Sequence, residues 1–205
     1  MCTPSSKELT FTYVDWNPSP PDNNTGIWNK VFIKSSGPVT LRCPHVISKL
    51  KIPSFDRAAL TVTAELTNSS SNLIQGTLKG KIESIQFYQD VSLSPGERKM
   101  VTFDPALYTQ LNISNPRVWW PYHRGNPEVY KMDISFEMDD KVSDSQTLTF
   151  GIRSFVSKKV DGYRQFYTND EKVLIRGGGY IWDITIRFSI EGRIFFFPPI
   201  KLSFG

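Results

Sequence analysis

Residues 59–67 read ALTVTAELT, and this stretch limits the possible folds more than any other feature of the chain. Leu60, Val62, Ala64 and Leu66 alternate with Thr61, Thr63 and Glu65, the period-two pattern of a strand with one face buried and one in water. The same alternation returns in YKMDISFEMDD, where Met132, Ile134, Phe136 and Met138 are interleaved with Lys131, Asp133, Ser135 and Glu137. Shorter versions occur in KVFIK (residues 30–34), TLKGKIES (77–84), KMVTF (99–103) and TLTFGI (147–152). Turn formers such as Ser94-Pro95-Gly96 and Asp139-Asp140 separate them. No stretch from about residue 30 to about residue 152 holds a helical period. Many short antiparallel strands over roughly a hundred residues predict an all-β fold with an immunoglobulin-like β-sandwich at its centre.

The flanks differ in texture. Before the sandwich, DWNPSPPDNNTGIWNKVFI is a Pro- and Asn-rich loop leading into one strand, so residues 1–41 read as the end of another all-β unit. They are too few to close a core of their own. After it, RQFYTNDEKVLIRGGG reads as a hairpin: a strand, an Asn-Asp turn and an apolar strand from Val173 to Ile175, with no partner domain left to join. Three glycines follow, marking either a sharp turn or a place where something fits against the main chain. Both ends therefore read as cut.

Charge and cysteine content exclude several classes. The net charge of +4 comes from 24 basic residues scattered among 20 acidic ones, with no basic run longer than a pair such as Lys158-Lys159. A solvated mixed surface follows, and no nucleic-acid partner is expected. Cys2 and Cys43 leave room for one optional bridge and exclude a disulfide framework or a cysteine-based zinc site. The longest apolar run, IFFFPPI at residues 194–200, is too short to span a bilayer and carries two prolines. The start lacks the basic and apolar regions of a secretory signal, so the chain is either cytosolic or preceded by more sequence. The acceptor patterns at Asn23, Asn68 and Asn112 read as chance matches.

Few arrangements for chemistry remain. His45 and His123 lie far apart with no ligand at metal spacing, so no metal or cofactor is expected. No nucleophile elbow or Cys/His signature is present. RGGGY lacks the Lys-Ser/Thr of a phosphate loop. The concentrated chemistry is aromatic: RVWWPYHRGNPEVY places Trp119, Trp120, Pro121, Tyr122 and Tyr130 in one short stretch. Such rings either hold sugars or fill a core or domain interface, and both readings stay open. Asp15-Trp16 likewise fits a ligand contact or ordinary turn chemistry.

Taken together, DWNPSPPDNNTGIWNKVFI, SGPVTLRCPHVISKL, NPRVWWPYHRGNPEVYKMDISFE, SDSQTLTFGIRS and KVLIRGGGYIWDITIRFS resemble glycoside hydrolase family 2, its exo-β-D-glucosaminidases foremost and plant endo-β-mannosidases next. The resemblance runs from about Val14 to Ser189. It implies that residues 1–41 are the C-terminal part of a sugar-binding jelly roll and 42–152 the sandwich. Residues 153–189 would then open a (β/α)8 catalytic barrel, VLIRGGG being its first strand, and 190–205 would be an aberrant tail that departs from the family pattern. It further implies that Arg176, Gly177, Gly178, Gly179 and Asp183 line the sugar site, where a barrel strand ends. By similarity to related β-mannosidases, Asp15 and Trp16 would also reach the sugar. A retaining enzyme of this family uses two glutamates about 5 Å apart. Both belong to later barrel strands, and neither Glu171 nor Glu191 stands in for them. The resemblance thus implies a portion inactive by itself, with a β-linked glucosamine or mannose sugar as partner of the whole enzyme. The alternative is a stand-alone sandwich that binds carbohydrate or protein through Trp119, Trp120 and Tyr122.

Overall fold

The computed structural model describes residues 30–175. The unit from Ile33 to Ile175 consists of strands, tight turns and a single 3-10 turn at Thr109–Leu111. Two four-stranded antiparallel sheets form the sandwich. In the first, β2 (Arg57–Asn68) pairs along one edge with β1 (Val39–Leu50). Its other edge carries β5 (Arg98–Phe103) and β6 (Asn112–Ser114) end to end. The second sheet runs β4 (Ile85–Leu93), β3 (Ile74–Ile82), β7 (Tyr130–Met138), β8 (Lys141–Phe150). This is the immunoglobulin-like sandwich that the alternation predicts.

The predicted alternation is what fills the core. Ala58, Leu60, Val62, Ala64 and Leu66 of β2 are fully buried and face Leu78, Phe87, Met132, Ile134 and Phe136 in one hydrophobic cluster. Within it Phe87 and Phe103 pack edge to face at 4.7 Å, a geometry that stabilises by roughly 0.5–1.5 kcal/mol beyond area burial. The glycine in TLKGKIES has a packing cause: a Cβ on Gly80 would lie 2.1 Å from the Phe87 ring, so the strand yields its side chain to let that ring cross. Asn68 closes β2 from a fully buried position. Its Nδ2 lies 2.8, 3.1 and 3.0 Å from the carbonyls of Asn72, Leu93 and Ser94, and its Oδ1 accepts from the Ser70 amide and hydroxyl. The folded sandwich has no room for a sugar on that nitrogen.

Side chains also join the two sheets at one edge. A register shift between Phe136 and Glu137 sets Ser143 and Asp144 side by side on β8, both buried. Ser143 Oγ accepts from the Val39 amide at 3.0 Å and donates to the Val39 carbonyl at 2.8 Å, while Asp144 Oδ2 accepts from the Leu41 amide at 2.8 Å. Burial pushes the Asp144 carboxyl up. The Lys34 ammonium at 2.7 Å and the Leu41 and Ser145 amides pull harder in the other direction, leaving it below the usual carboxylate range.

Beyond the sandwich, β9 (Phe155–Val160), β10 (Tyr163–Thr168) and β11 (Glu171–Val173) form a separate three-stranded antiparallel meander. Its two-residue turns, Asp161-Gly162 and Asn169-Asp170, have positive φ at both positions, as do Asp139 and Asp140 between β7 and β8. Those angles match the twist of hairpin strands, which is why Asp, Asn and Gly occupy them. The hairpin expected around Asn169-Asp170 is present. Its second strand ends at Val173, which pairs with Phe166 of β10, and Leu174 and Ile175 lie outside it.

KVFIK is not a strand. Residues 30–34 have no regular structure, and Ile33 is 99% exposed. Alternation specifies a face but supplies no neighbour to accept the backbone hydrogen bonds, and no strand among the described residues pairs with this segment. Residues 1–29 of the expected jelly-roll end and 176–179 of the expected barrel strand VLIRGGG lie outside the described residues; of the rest of that strand, Val173 closes the antiparallel β11 and Leu174 and Ile175 belong to no strand.

Candidate functional site at the seam of sandwich and meander

The aromatic stretch connects β6 to β7 and lies where the sandwich meets the meander. Its far end is held by Tyr130, which stacks on Phe150 at 5.6 Å and whose hydroxyl accepts from the Arg117 amide at 2.7 Å. The Arg117 guanidinium lies 4.5 Å above the same ring. A tyrosine opening a core strand and bonding back to the preceding connection is the corner device of immunoglobulin-like sandwiches. Next along the chain, Val118 bridges Ile152 in parallel, and the Trp119 amide donates to the Ile152 carbonyl at 2.9 Å.

Both tryptophans are half-buried and committed to contacts. The Trp119 ring lies across Gly151, where a Cβ would come within 2.9 Å of it, and takes the Arg153 guanidinium 4.4 Å above its plane. Trp120 meets Phe55 edge on at 6.1 Å and covers Gly125. Residues 121–127 form a tight loop closed by the bonds Arg124 N to the Pro121 carbonyl and Trp120 N to the Asn126 carbonyl. Tyr122, at its tip, is 87% exposed.

Three polar links tie this loop to the meander. Asn169, 1% exposed, donates from Nδ2 to the Trp119 carbonyl at 2.9 Å and accepts at Oδ1 from the Ser154 amide at 2.9 Å. Its backbone amide donates to the Ser154 carbonyl. Arg124 reaches Glu171 at 3.3 Å and the Lys172 carbonyl at 3.2 Å. Between these elements lies a cleft of about 280 Å³, lined by Trp119, Pro121, His123, Arg153, Phe155, Thr168, Val173, Leu174 and Ile175. Among the described residues no carboxylate lines it. Glu171 is engaged with Arg124, and no group of three or more His, Cys, Asp or Glu among the described residues is placed to hold a metal.

Of the two readings of the aromatic stretch, the structure supports an internal interface for Trp119 and Trp120. Asp15, Trp16, Arg176, Gly177, Gly178, Gly179 and Asp183 lie outside the described residues. Sequence reasoning missed Asn169, Arg124 and Arg153. The Asn169-Asp170 turn was legible, but the use of a turn asparagine as a link between distant segments has no local signature.

Similarity to known proteins agrees with this architecture. The exo-β-D-glucosaminidase of Streptomyces avermitilis is 40% identical over 193 residues, 92% of this chain and 21% of that enzyme. Mannosylglycoprotein endo-β-mannosidase of Lilium longiflorum is 32% identical over 191 residues, 85% of this chain and 19% of that protein. Among solved structures, Amycolatopsis orientalis exo-chitosanase CsxA superposes with a TM-score of 0.74 at 37% identity, covering 86% of this chain and 20% of that one. The chain thus spans about a fifth of the length of these relatives. The model of glycosyl hydrolases family 2 matches residues 39–153, more than half the chain and the whole of the sandwich, and the protein belongs to that family.

Proposed function

We propose that this chain is a non-catalytic portion of a retaining exo-β-glycosidase, one that hydrolyses β-D-glucosaminide bonds when joined to its barrel. The similarity to an exo-β-D-glucosaminidase, 40% identical over 92% of the chain, carries the reading. In the proposed whole enzyme the expected bounds of 1–41, 42–152 and 153–189 shift to the observed elements: the segment before Val39 ends a sugar-binding jelly roll, Val39–Phe150 form the sandwich, and the barrel opens after the antiparallel β9–β11 meander. Asp15, Trp16, Arg176 to Gly179 and Asp183 then contact the sugar, and the sandwich serves as spacer and wall. The seam supports this role, because Trp119 packs on Gly151 and Arg153 and Trp120 on Phe55 and Gly125. Phe155, Leu174 and Ile175 also leave apolar surface beside the cleft, suited to cover by a neighbouring domain. A stand-alone module would instead bind carbohydrate or protein through Trp119, Trp120 and Tyr122, of which Tyr122 alone stands well exposed.

The test has two parts. An antibody against residues 39–153 is used to precipitate the native protein from its own cells, and the precipitate is assayed on a chromogenic β-D-glucosaminide. The isolated 205-residue chain is titrated with glucosamine and chitosan oligosaccharides. Hydrolysis by the precipitate and no saturable binding by the isolated chain are expected. An inactive precipitate together with saturable binding by the chain would replace this reading with the binding-module one.

A further inference from the structure

We propose that the folded chain offers Asn112 to N-glycosylation and withholds Asn68, so that a sugar at Asn68 and the closed sandwich exclude each other. Each residue heads an acceptor pattern, Asn68-Ser69-Ser70 and Asn112-Ile113-Ser114. The chemistry is the same at both. Nδ2 attacks C1 of a hexose carried on a diphosphate, and the N–C1 bond forms as the C1–O bond breaks. The diphosphate leaves, and the nitrogen gives up one of its two protons. The product amide keeps a single N–H. A buried asparagine that uses both hydrogens thus loses a partner when it takes the sugar, whereas an exposed one replaces that partner with water.

Asn68 is of the first kind. It is 0% exposed, and its Nδ2 faces the carbonyls of Asn72, Leu93 and Ser94 at 2.8, 3.1 and 3.0 Å. One remaining N–H cannot serve all three. Asn72 precedes β3, Leu93 closes β4 and Ser94 begins the turn to β5, so a hexose on that nitrogen would part β2 from both connections. The backbone has no slack to move aside, because the Asn68 amide donates to the Glu97 carbonyl and the Ser69 amide to the Pro38 carbonyl. Asn112 is of the second kind. It is exposed and opens β6, three residues that pair with β2 alone at the edge of the sheet. Its Nδ2 donates to the Pro105 carbonyl at 2.8 Å and the Thr109 carbonyl at 3.2 Å, both exposed bonds. A glycosylated Asn112 retains one of them, water takes the other, and the sugar projects outward. So short an edge strand also opens readily without disturbing the core. On a route through a compartment that transfers such sugars, β2 must therefore close over Asn68 before transfer, and occupancy at Asn68 marks chains that did not fold.

The experiment treats the 205-residue chain with a soluble N-glycosyltransferase and nucleotide-activated glucose, a single hexose being the smallest probe. The reaction is run on the intact chain and on its tryptic digest, in which Asn68 lies in peptide 58–79 and Asn112 in peptide 100–117. Occupancy is read site by site by mass spectrometry; Asn23 lies outside the described residues and is scored separately. The digest is expected to take glucose at both sites. In the intact chain Asn112 should react within about tenfold of its rate in the digest, and Asn68 at least about a hundredfold more slowly than in the digest, since it requires opening of the sandwich. Equal rates at Asn68 in chain and digest overturn the exclusion. An intact chain that refuses glucose at Asn112 while its digest accepts it overturns Asn112 as the acceptor. A digest that refuses either site places the block in the pattern itself and not in the fold, and overturns the proposal as well.

Discussion

The side-chain amide of Asn169 donates to the carbonyl of Trp119 at 2.9 Å, across 50 residues of sequence. Because the same side chain accepts from the Ser154 amide at 2.9 Å, one buried asparagine joins the meander, the link behind it and the aromatic loop. Asn169 does this from a left-handed backbone, φ +52°, which asparagine tolerates better than most residues.

Two substitutions separate those contributions. N169G keeps the backbone and leaves the Trp119 carbonyl and Ser154 amide without their partner, which costs about 1–3 kcal/mol. N169A adds the left-handed penalty of about 1–2 kcal/mol. Urea unfolding of the chain should therefore rank wild type above N169G above N169A. Equal values for the two variants would mean that the backbone conformation carries no cost.

Asp144 makes the sandwich acid-sensitive. Its folded carboxyl titrates below its unfolded value of about 3.9, so near that pH the unfolded chain binds the extra proton. The stabilisation is fully present above about pH 4 and is lost as pH falls through the folded value. Glu137, held down mainly by Lys79, shifts stability in the same direction. D144N should lose about 1.5–3 kcal/mol at neutral pH, the range for hydrogen bonds to a charged group, and show a flatter decline from pH 5 to pH 3. Denaturant midpoints across that range check both statements.

Gly80 and Phe87 are a coupled pair. G80A forces a methyl into the Phe87 ring and should destabilise by about 1–3 kcal/mol. Combined with F87L it should cost less than the sum of the single changes, because the smaller side chain frees the space. A double-mutant cycle by thermal unfolding reads this directly.

N68D replaces a buried donor that faces three carbonyls with an acceptor. It should destabilise by about 2–4 kcal/mol through burial of mismatched polar atoms, and more at pH 7 than at pH 4 as the carboxyl ionises. A loss no larger than that of an exposed substitution such as N72D would rule out the buried hub.

How much of this could be read from sequence depended on the range of the physics involved. Leu60, Val62, Ala64 and Leu66 announce a buried face because alternation is local, and the structure buries all four. Val31 and Ile33 alternate as well and form no strand, because pairing needs a partner that periodicity cannot supply. At the seam, the composition of RVWWPYHRGNPEVY was visible and its use was not. Whether Trp119 meets a sugar or Gly151 and Arg153 depends on segments more than thirty residues away.

Face alternation, the turn residues at Asp139-Asp140 and Asn169-Asp170, and the family motifs were thus written in the sequence, since each is set by neighbours along the chain. The tertiary structure alone decided the Asp144 to Leu41 link between sheets and the clasp of Arg124 and Asn169 on β11. Those contacts join residues distant in sequence, and their energies come from burial and geometry that exist only once the two sheets and the meander have come together.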